Sequence, residues 1–265
     1  IKINKKHFLY KYKKKIIIDL DFISLEISSQ KIIGITGTEG KSSTCSYIND
    51  LLSKKYNTKI IGNFGETILD KKNLSNYLSK IDFLIIELSS YQLDKIRFLK
   101  LHHALITNIF SDHLDYHNNL KKYIKSKFLI QNLLYKNSSL HLQKKLFFSY
   151  KEYIKTDKKK LSFIEDNTST TNDLKTHFKR LNLNSIKKLI FEIDPKIKIK
   201  INNIRSELNF RNQLIFKSYD LKVFNDSKCT NLNNAIYKNN LINSSKKILI
   251  LGGKLKKQEK NIKFN

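Results

Sequence analysis

The chain has no methionine and no tryptophan, one proline and only two cysteines in 265 residues. Cys45 and Cys229 stand far apart, which excludes a disulfide scaffold and a cysteine-rich zinc site and fits a reducing cytoplasm. No apolar run reaches the ~18 residues of a membrane-spanning helix, because Lys or Asn interrupts each one. The opening residues carry no signal-peptide cleavage pattern. Arginine is scarce too: Arg97, Arg180, Arg205 and Arg211 are the whole set among 51 basic residues. The 23 acidic residues leave a formal net charge of +28, which alone suggests a nucleic-acid partner. Nucleic-acid readers draw on the bidentate fork of arginine, whereas this charge sits almost wholly on lysine. Lys, Asn and Ile crowd the chain while Ala104 and Ala235 are the only alanines, the usage of an AT-rich coding sequence. The charge is therefore read as solvated surface. The expectation is a cytoplasmic monomer with no nucleic-acid and no membrane partner.

Glycine is also rare, and its positions inform for that reason. The seven fall in three clusters: Gly34, Gly37 and Gly40; Gly62 and Gly65; Gly252 and Gly253. Such a chain keeps glycine where the backbone needs positive φ or close approach to a ligand. With 40% hydrophobic residues the chain can bury a core, and its length fits one large domain or two small ones. Residues 1–30 are basic and irregular, with an alternating stretch over 16–27, and read as a tail or an incomplete element. From Lys31 the run KIIGIT leads into GTEGKSS and then a helical pattern ending near Lys55, a strand–loop–helix unit. Further strands are expected at 59–61, 83–88 and 104–109, with a helix over 120–134. Short strands alternating with helices predict an α/β fold with a parallel sheet. Residues 135–205 give no clear pattern. A second strand–helix–strand unit is expected from 221–224, a helix through Leu241, and 247–251.

Gly37, Thr38, Glu39, Gly40, Lys41, Ser42 and Ser43 follow an apolar strand and open a helix, the context of a phosphate-binding loop. There the backbone N–H groups face phosphate oxygens, Lys41 neutralises them and the Ser42 hydroxyl is a Mg²⁺ ligand. The strict pattern has glycine where this chain has Ile35. The strand IDFLIIE ends in one acid, Glu87, the place where nucleotide-hydrolysing folds hold magnesium. A third strand runs into TNIFSDHLDYH, with His102, His103, Asp112, His113, Asp115 and His117 close together. His113 follows a strand end, where open α/β sheets bind ligands. Asp115 and His117 are read as structural or surface residues.

In this order, GITGTEGKSS, ELSSYQL and TNIFSDHLDYH resemble the Mur ligases, ATP-dependent amide-forming enzymes of peptidoglycan synthesis. GNFG, ELSSYQLD and FNDSKCTN, with LILGG and a following lysine, resemble the D-glutamate-adding branch. The resemblance implies three domains, of which this chain would hold a linker or remnant of the first (1–30), the central ATP-binding domain (31–205) and the truncated start of a Rossmann-like third (206–265). The missing methionine fits an incomplete chain. The implied substrates are ATP with Mg²⁺, UDP-N-acetylmuramoyl-L-alanine and D-glutamate, joined through an acyl phosphate. The implied roles place Lys41 on the phosphates, Ser42 and Glu87 on a first Mg²⁺, and His113 on a second with a carbamylated Lys127, for which Lys125 is the competitor. Asn63 and Ser89 would contact the sugar substrate. Arg211 and Asp226 would belong to the ATP site, and Lys228, Thr230 and Lys256 to the reacting phosphate and D-glutamate, with Lys254 and Lys257 crowding the last assignment. Glu39 departs from the family's asparagine and adds a negative charge beside phosphate. The family's G-x-H-N motif, whose asparagine contacts adenine, is not recognisable; Asn182 or Asn184 stands nearest. Three other readings are a non-catalytic nucleotide-binding remnant, another Mur or folylpolyglutamate-type ligase, and a nucleic-acid-binding ATPase.

Overall fold

The structure, a computed structural model, describes residues 7–12, 15–25, 30–164, 174–205, 208–230 and 232–253. The chain divides into two compact units, residues 1–167 with 180–206, and residues 168–179 with 207–265.

The first unit is built on six strands: β1 (Lys31–Thr36), β2 (Thr58–Gly62), β3 (Phe83–Glu87), β4 (Leu101–Ile106), β5 (Leu134–Gln143) and β6 (Leu161–Ile164). Their order is β2-β3-β1-β4-β5-β6, and every neighbouring pair is parallel. The helices are α1 (Lys41–Leu52), α2 (Leu74–Leu78), α3 (Ser90–Leu93), α4 (Leu114–His117), α5 (Leu120–Phe128), α6 (Lys144–Ser149) and, from residue 180 onward, α7 (Leu174–Ile193). KIIGIT and FLIIE are unbroken apolar runs because β1 and β3 are covered on both faces. On one face Ile33, Ile35, Ile85 and Leu105 pack with Ile48, Leu51 and Leu52 of α1 and Ile186, Leu189 and Ile190 of α7. On the other, Ile32, Leu84, Ile86, Ala104 and Ile106 pack with Tyr123, Ile124 and Phe128 of α5. Each such Ile, Leu or Phe side chain contributes roughly 1.5–3 kcal/mol through burial.

Several expectations are corrected in detail. β4 starts at Leu101 and ends at Ile106, and 107–110 fold onto the loop after β1 instead of extending the strand. The helix expected over 120–134 stops at Phe128 and continues as a 3-10 turn, Leu129–Leu133. β5 and β6 were not expected; the first half of LYKNSSLHLQ is polar and largely exposed, so it lacks a buried strand's pattern. Of the two readings of the segment before β1, its described part fits the incomplete element and not the tail. Leu20 is fully buried, Ile23 nearly so, and the buried Asp21 carboxylate accepts the N–H groups of Arg97, Phe98 and Leu99 at 2.9, 2.9 and 3.3 Å.

The second unit holds β7 (Gln213–Lys217) and β8 (Lys222–Asn225), an antiparallel hairpin, followed by α8 (Leu232–Leu241). The Ser218 N–H donates to the Leu221 carbonyl at 2.8 Å and closes the turn. Residues 247–251 do not form the expected strand: Ile248 and Ile250 are 90% and 89% exposed. A parallel strand needs a neighbour to pair with, and among the described residues β7 and β8 pair only with each other. No described residue of this unit beyond 207 is buried. Among the described residues no helix is long and apolar enough to cross a membrane.

Candidate functional site

β1 lies at the point where the strand order reverses, flanked by β3 and β4, and open α/β sheets bind ligands outside the carboxyl ends of strands at such a point. Ile35 stands opposite Glu87 and Thr36 opposite Ile106, so the turn after β1 emerges beside the tips of both neighbours. Gly37 has φ +145°, and a Cβ there would stand 1.9 Å from Thr107 Oγ1; no side chain fits. The Glu39 N–H donates to Asn108 Oδ1 at 2.8 Å, and its carbonyl accepts from Thr107 Oγ1 at 2.7 Å. The Thr38 N–H donates to the Asn108 carbonyl at 3.0 Å, and the Thr38 hydroxyl meets that of Tyr123 at 2.9 Å. Past Glu39, the N–H groups of Lys41, Ser42 and Ser43 stand in the first turn of α1. That is an anion-binding end. Gly40, the left-handed residue at the helix start, would place a Cβ 3.2 Å from Asn182 Oδ1, so α7 brings Asn182 to the loop.

The side chains around the loop carry opposed charges in a largely dry setting. Lys41 Nζ donates to the Thr38 carbonyl at 2.8 Å. Lys127 is buried and donates to the Gly37 carbonyl at 2.7 Å, whereas Lys125, two residues earlier, is exposed. Burial, reinforced by the nearby Lys41 ammonium, holds the Lys127 amine well below the usual lysine range, against the pull of Asp112, Glu87 and Asp94. Glu87 is buried; Oε1 accepts from Asn63 Nδ2 at 2.9 Å, and Oε2 is buried with no hydrogen-bond partner. An orphaned carboxylate oxygen of that kind is costly unless a cation or donor reaches it, so the donor set fits a Mg²⁺ ion. Ser42 is buried at the first turn of α1. His113 adopts the left-handed conformation at φ 51°, stands 3.6 Å from the Asp112 carboxylate and lies against the Tyr91 ring. Cys45 is no nucleophile here, since burial and then Glu87 push its thiol up.

The other candidates divide between the units. Ser89 caps α3 in a capping box with Gln92, so its hydroxyl is engaged in holding the turn after β3. His117 pairs with Ser90 Oγ at 2.9 Å and is buried. Arg211, Asp226, Lys228 and Thr230 lie in the second unit. There Asp226 accepts the Asn212 N–H at 3.0 Å and pairs with Lys238 at 2.8 Å, tying the turn before β7 to α8. Lys228 and Thr230 are exposed. Lys256 lies outside the described residues. The sequence reading missed Thr107, Asn108 and Tyr123, which brace the loop; TNIF at the end of the third apolar run was the available signal.

Residues 35–215 match the Mur ligase middle domain. A UDP-N-acetylmuramoylalanine–D-glutamate ligase of Fervidobacterium nodosum is 41% identical over 104 residues, which are 38% of this chain and 23% of the relative. Among solved structures, MurF from Acinetobacter baumannii superposes with a TM-score of 0.64 at 14% identity over 85% of this chain and 57% of that one. MurF ligase from Thermotoga maritima in complex with ADP gives 0.55 at 13% identity over 84% and 58%. At such identities the likeness is one of fold. The match spans about a quarter of the curated relative's length, and just over half of each solved ligase. A parallel sheet with its phosphate loop at the switch point, and a domain match covering most of the chain, agree: this chain belongs to the Mur ligase family.

Proposed function

We propose that this chain binds ATP with Mg²⁺ and serves the ATP-dependent joining of D-glutamate to UDP-N-acetylmuramoyl-L-alanine. The observation that carries the reading is the buried pair beside the loop: Glu87 with an unpartnered oxygen and Lys127 seated on the Gly37 carbonyl. The Lys41, Ser42 and Ser43 N–H groups bind the phosphates, and the Lys41 ammonium swings from Thr38 to offset their charge. Ser42 and Glu87 hold one Mg²⁺, and His113 and Lys127 a second. Bound Mg²⁺ lowers the repulsion between the attacking substrate carboxylate and the triphosphate. The substrate carboxylate takes the γ-phosphoryl group, ADP leaves, and the D-glutamate amine then displaces phosphate from the acyl carbon. Lys127 suits the family's carbamate: burial holds its amine well below the usual lysine range, which favours the free-amine form that adds to CO₂, loses a proton and becomes a carboxylate-like ligand. Asn63 orients Glu87 through their hydrogen bond and faces the sugar substrate with Ser89. Asn182, beside the loop, takes the adenine contact. By the family resemblance, Arg211 and Asp226 take ATP roles, and Lys228, Thr230 and Lys256 serve the reacting phosphate and D-glutamate.

The named amino-acid substrate rests on the FNDSKCTN resemblance and on the D-glutamate ligase among the relatives. A second reading, nucleotide binding without turnover, is favoured by the second unit, where no described residue beyond 207 is buried. One assay separates them. The ligase releases phosphate from Mg·ATP only when UDP-N-acetylmuramoyl-L-alanine and D-glutamate are both present; the binding module takes up ATP and releases none. Lys41→Ala should weaken ATP binding by at least about thirtyfold. Unchanged affinity removes the phosphate-loop assignment and both readings with it.

A further inference from the structure

The face of the sheet under α7 carries a cluster that the nucleotide site does not use. His103 on β4 and His141 on β5 stand on neighbouring parallel strands, where Leu105 is opposite His141 and His103 opposite Ser139. The two-residue period of a strand puts His103 and Leu105 on one face, the face that α7 covers. Glu192, in the last turn of α7, reaches both rings. His141 Nε2 lies 3.5 Å from His103 Nδ1 and 3.4 Å from Glu192 Oε2, and His103 Nδ1 lies 3.9 Å from the same oxygen. Good hydrogen bonds to nitrogen run about 2.7–3.2 Å, so these spacings are long for direct pairing. The two made by His141 Nε2, 3.4 and 3.5 Å, are close to the edges of a coordination tetrahedron, and the third, 3.9 Å, is wider. With metal–ligand bonds of about 2.0–2.1 Å, tetrahedral donors stand about 3.3–3.4 Å apart.

A second observation points the same way. The His141 ring is completely buried, and its Nε2 faces the two cluster atoms without a short bond to either. A buried Nε2 held so is costly, and a cation on it offsets that nitrogen's desolvation. The carboxylate is already oriented: Ser162 Oγ on β6 donates to Glu192 Oε1 at 2.8 Å, leaving Oε2 turned to the histidines. Such outer hydrogen bonds fix the aim of a metal ligand. The side chains of Glu192 and His103 are 28% and 15% exposed, so an ion and a water ligand can enter from that edge.

We propose that His103, His141 and Glu192 bind one divalent transition-metal cation of the Zn²⁺ type, which pins α7 to β4 and β5. Two imidazoles and a carboxylate select such an ion over Mg²⁺, which takes oxygen donors. The ion joins three points far apart in sequence, so its binding free energy adds to the stability of the first unit.

The test uses the full chain after chelator treatment. Titrated with Co²⁺, it should bind one equivalent with the visible absorption of a four-coordinate ion, displaced by Zn²⁺ and not by excess Mg²⁺. Because His141 is wholly buried, the variants are taken at the partly exposed ligands. Glu192→Gln and His103→Ala, with unchanged circular dichroism, should each weaken binding by at least about tenfold. His113→Ala, at the nucleotide site, should leave the equivalent in place. The assignment falls if no Co²⁺ or Zn²⁺ binds at this stoichiometry, if both ligand variants bind as tightly as the parent, or if His113→Ala abolishes the signal.

Discussion

The two units use the same isoleucine-rich, lysine-rich vocabulary and differ in what lies over it. In the first, Ile33, Ile35 and Ile190 are completely buried between the sheet and its helices. In the second, Ile248 and Ile250 are almost wholly exposed, and Leu214, Ile215 and Phe216 of β7 are about half exposed. An apolar run is therefore only an invitation to form a strand; a paired neighbour and a covering layer make it one. The contrast is widest for a single methyl-rich side chain. Ile33→Ala should cost about 2–5 kcal/mol, and Ile250→Ala less than about 0.5 kcal/mol. Urea unfolding followed by tryptophan-free near-ultraviolet and far-ultraviolet signals measures both. Equal losses would mean that the second unit's isoleucines are covered in solution. Hydrogen exchange should agree, with slow amides in β1 and β3 and fast ones over 247–251.

Glycine gives the next contrast. Gly37→Ala must hold a side chain at positive φ and against Thr107, while a Cβ at Gly252 would meet nothing within 4 Å. The first substitution should destabilise by about 1–3 kcal/mol and disorder the loop, and the second should be neutral. Thermal melts with and without Mg·ATP check both, and a Gly37→Ala protein as stable as the parent would break the contrast.

These contrasts explain how much could be read from residues alone. KIIGITGTEGKSS spoke clearly, because a doubly covered strand, a glycine-rich turn and a helix start each leave a local mark. Lys127 did not: in KKYIKSKFLI nothing but register separates it from Lys125, and only packing shows one amine buried on Gly37 and the other in water. β5 stayed hidden because polar residues fill its exposed half. Asp21 was hidden for a different reason. Its role is to receive three N–H groups some 76 residues away, and no spacing rule reports a long-range partner. His141 and Glu192 were invisible on the same ground, since the sheet and α7 assemble them. In the second unit FNDSK marked the end of β8, yet the antiparallel partner before it and the unpaired run after it depend on neighbours rather than on composition.

Lysines sharpen the comparison further. In CO₂-free buffer, Lys127→Met should stabilise the protein by something on the order of 1 kcal/mol, because a buried amine is replaced by a chain of similar length. The sign with pH follows from its lowered pKa. Between the folded pKa and the ordinary lysine value, the unfolded chain binds a proton that the folded one does not. Stability therefore rises with pH across that window and levels off above it. The advantage of Lys127→Met should grow as pH falls from 10.5, the ordinary value, toward the folded pKa. The exposed Lys228, changed to Met, should show neither the gain nor the slope. A Lys127→Met advantage that is flat with pH would mean that the amine is charged in the folded state.

The smallest contrast lies among the carboxylates. Glu66 accepts from Lys71 at 2.7 Å, Lys59 at 2.9 Å and the Tyr77 hydroxyl at 3.1 Å. Lys71, then Lys59, holds its carboxyl down at about 2, from an ordinary value of 4.5. A depressed carboxyl adds stability that is complete above the unfolded value and disappears as pH falls to the folded one. Here that window runs from about pH 4.5 down to about 2. The side chain is 39% exposed, so water and salt screen much of the attraction. Glu66→Gln should therefore cost no more than about 1 kcal/mol at neutral pH, less in molar salt. Parallel urea titrations should show the gap between parent and variant closing through that acid window. A gap that stays constant down to pH 2 would assign the loss to the shape of the side chain and its hydrogen bond to Tyr77, and the two lysines would then add nothing to the stability of the first unit that the neutral amide cannot supply.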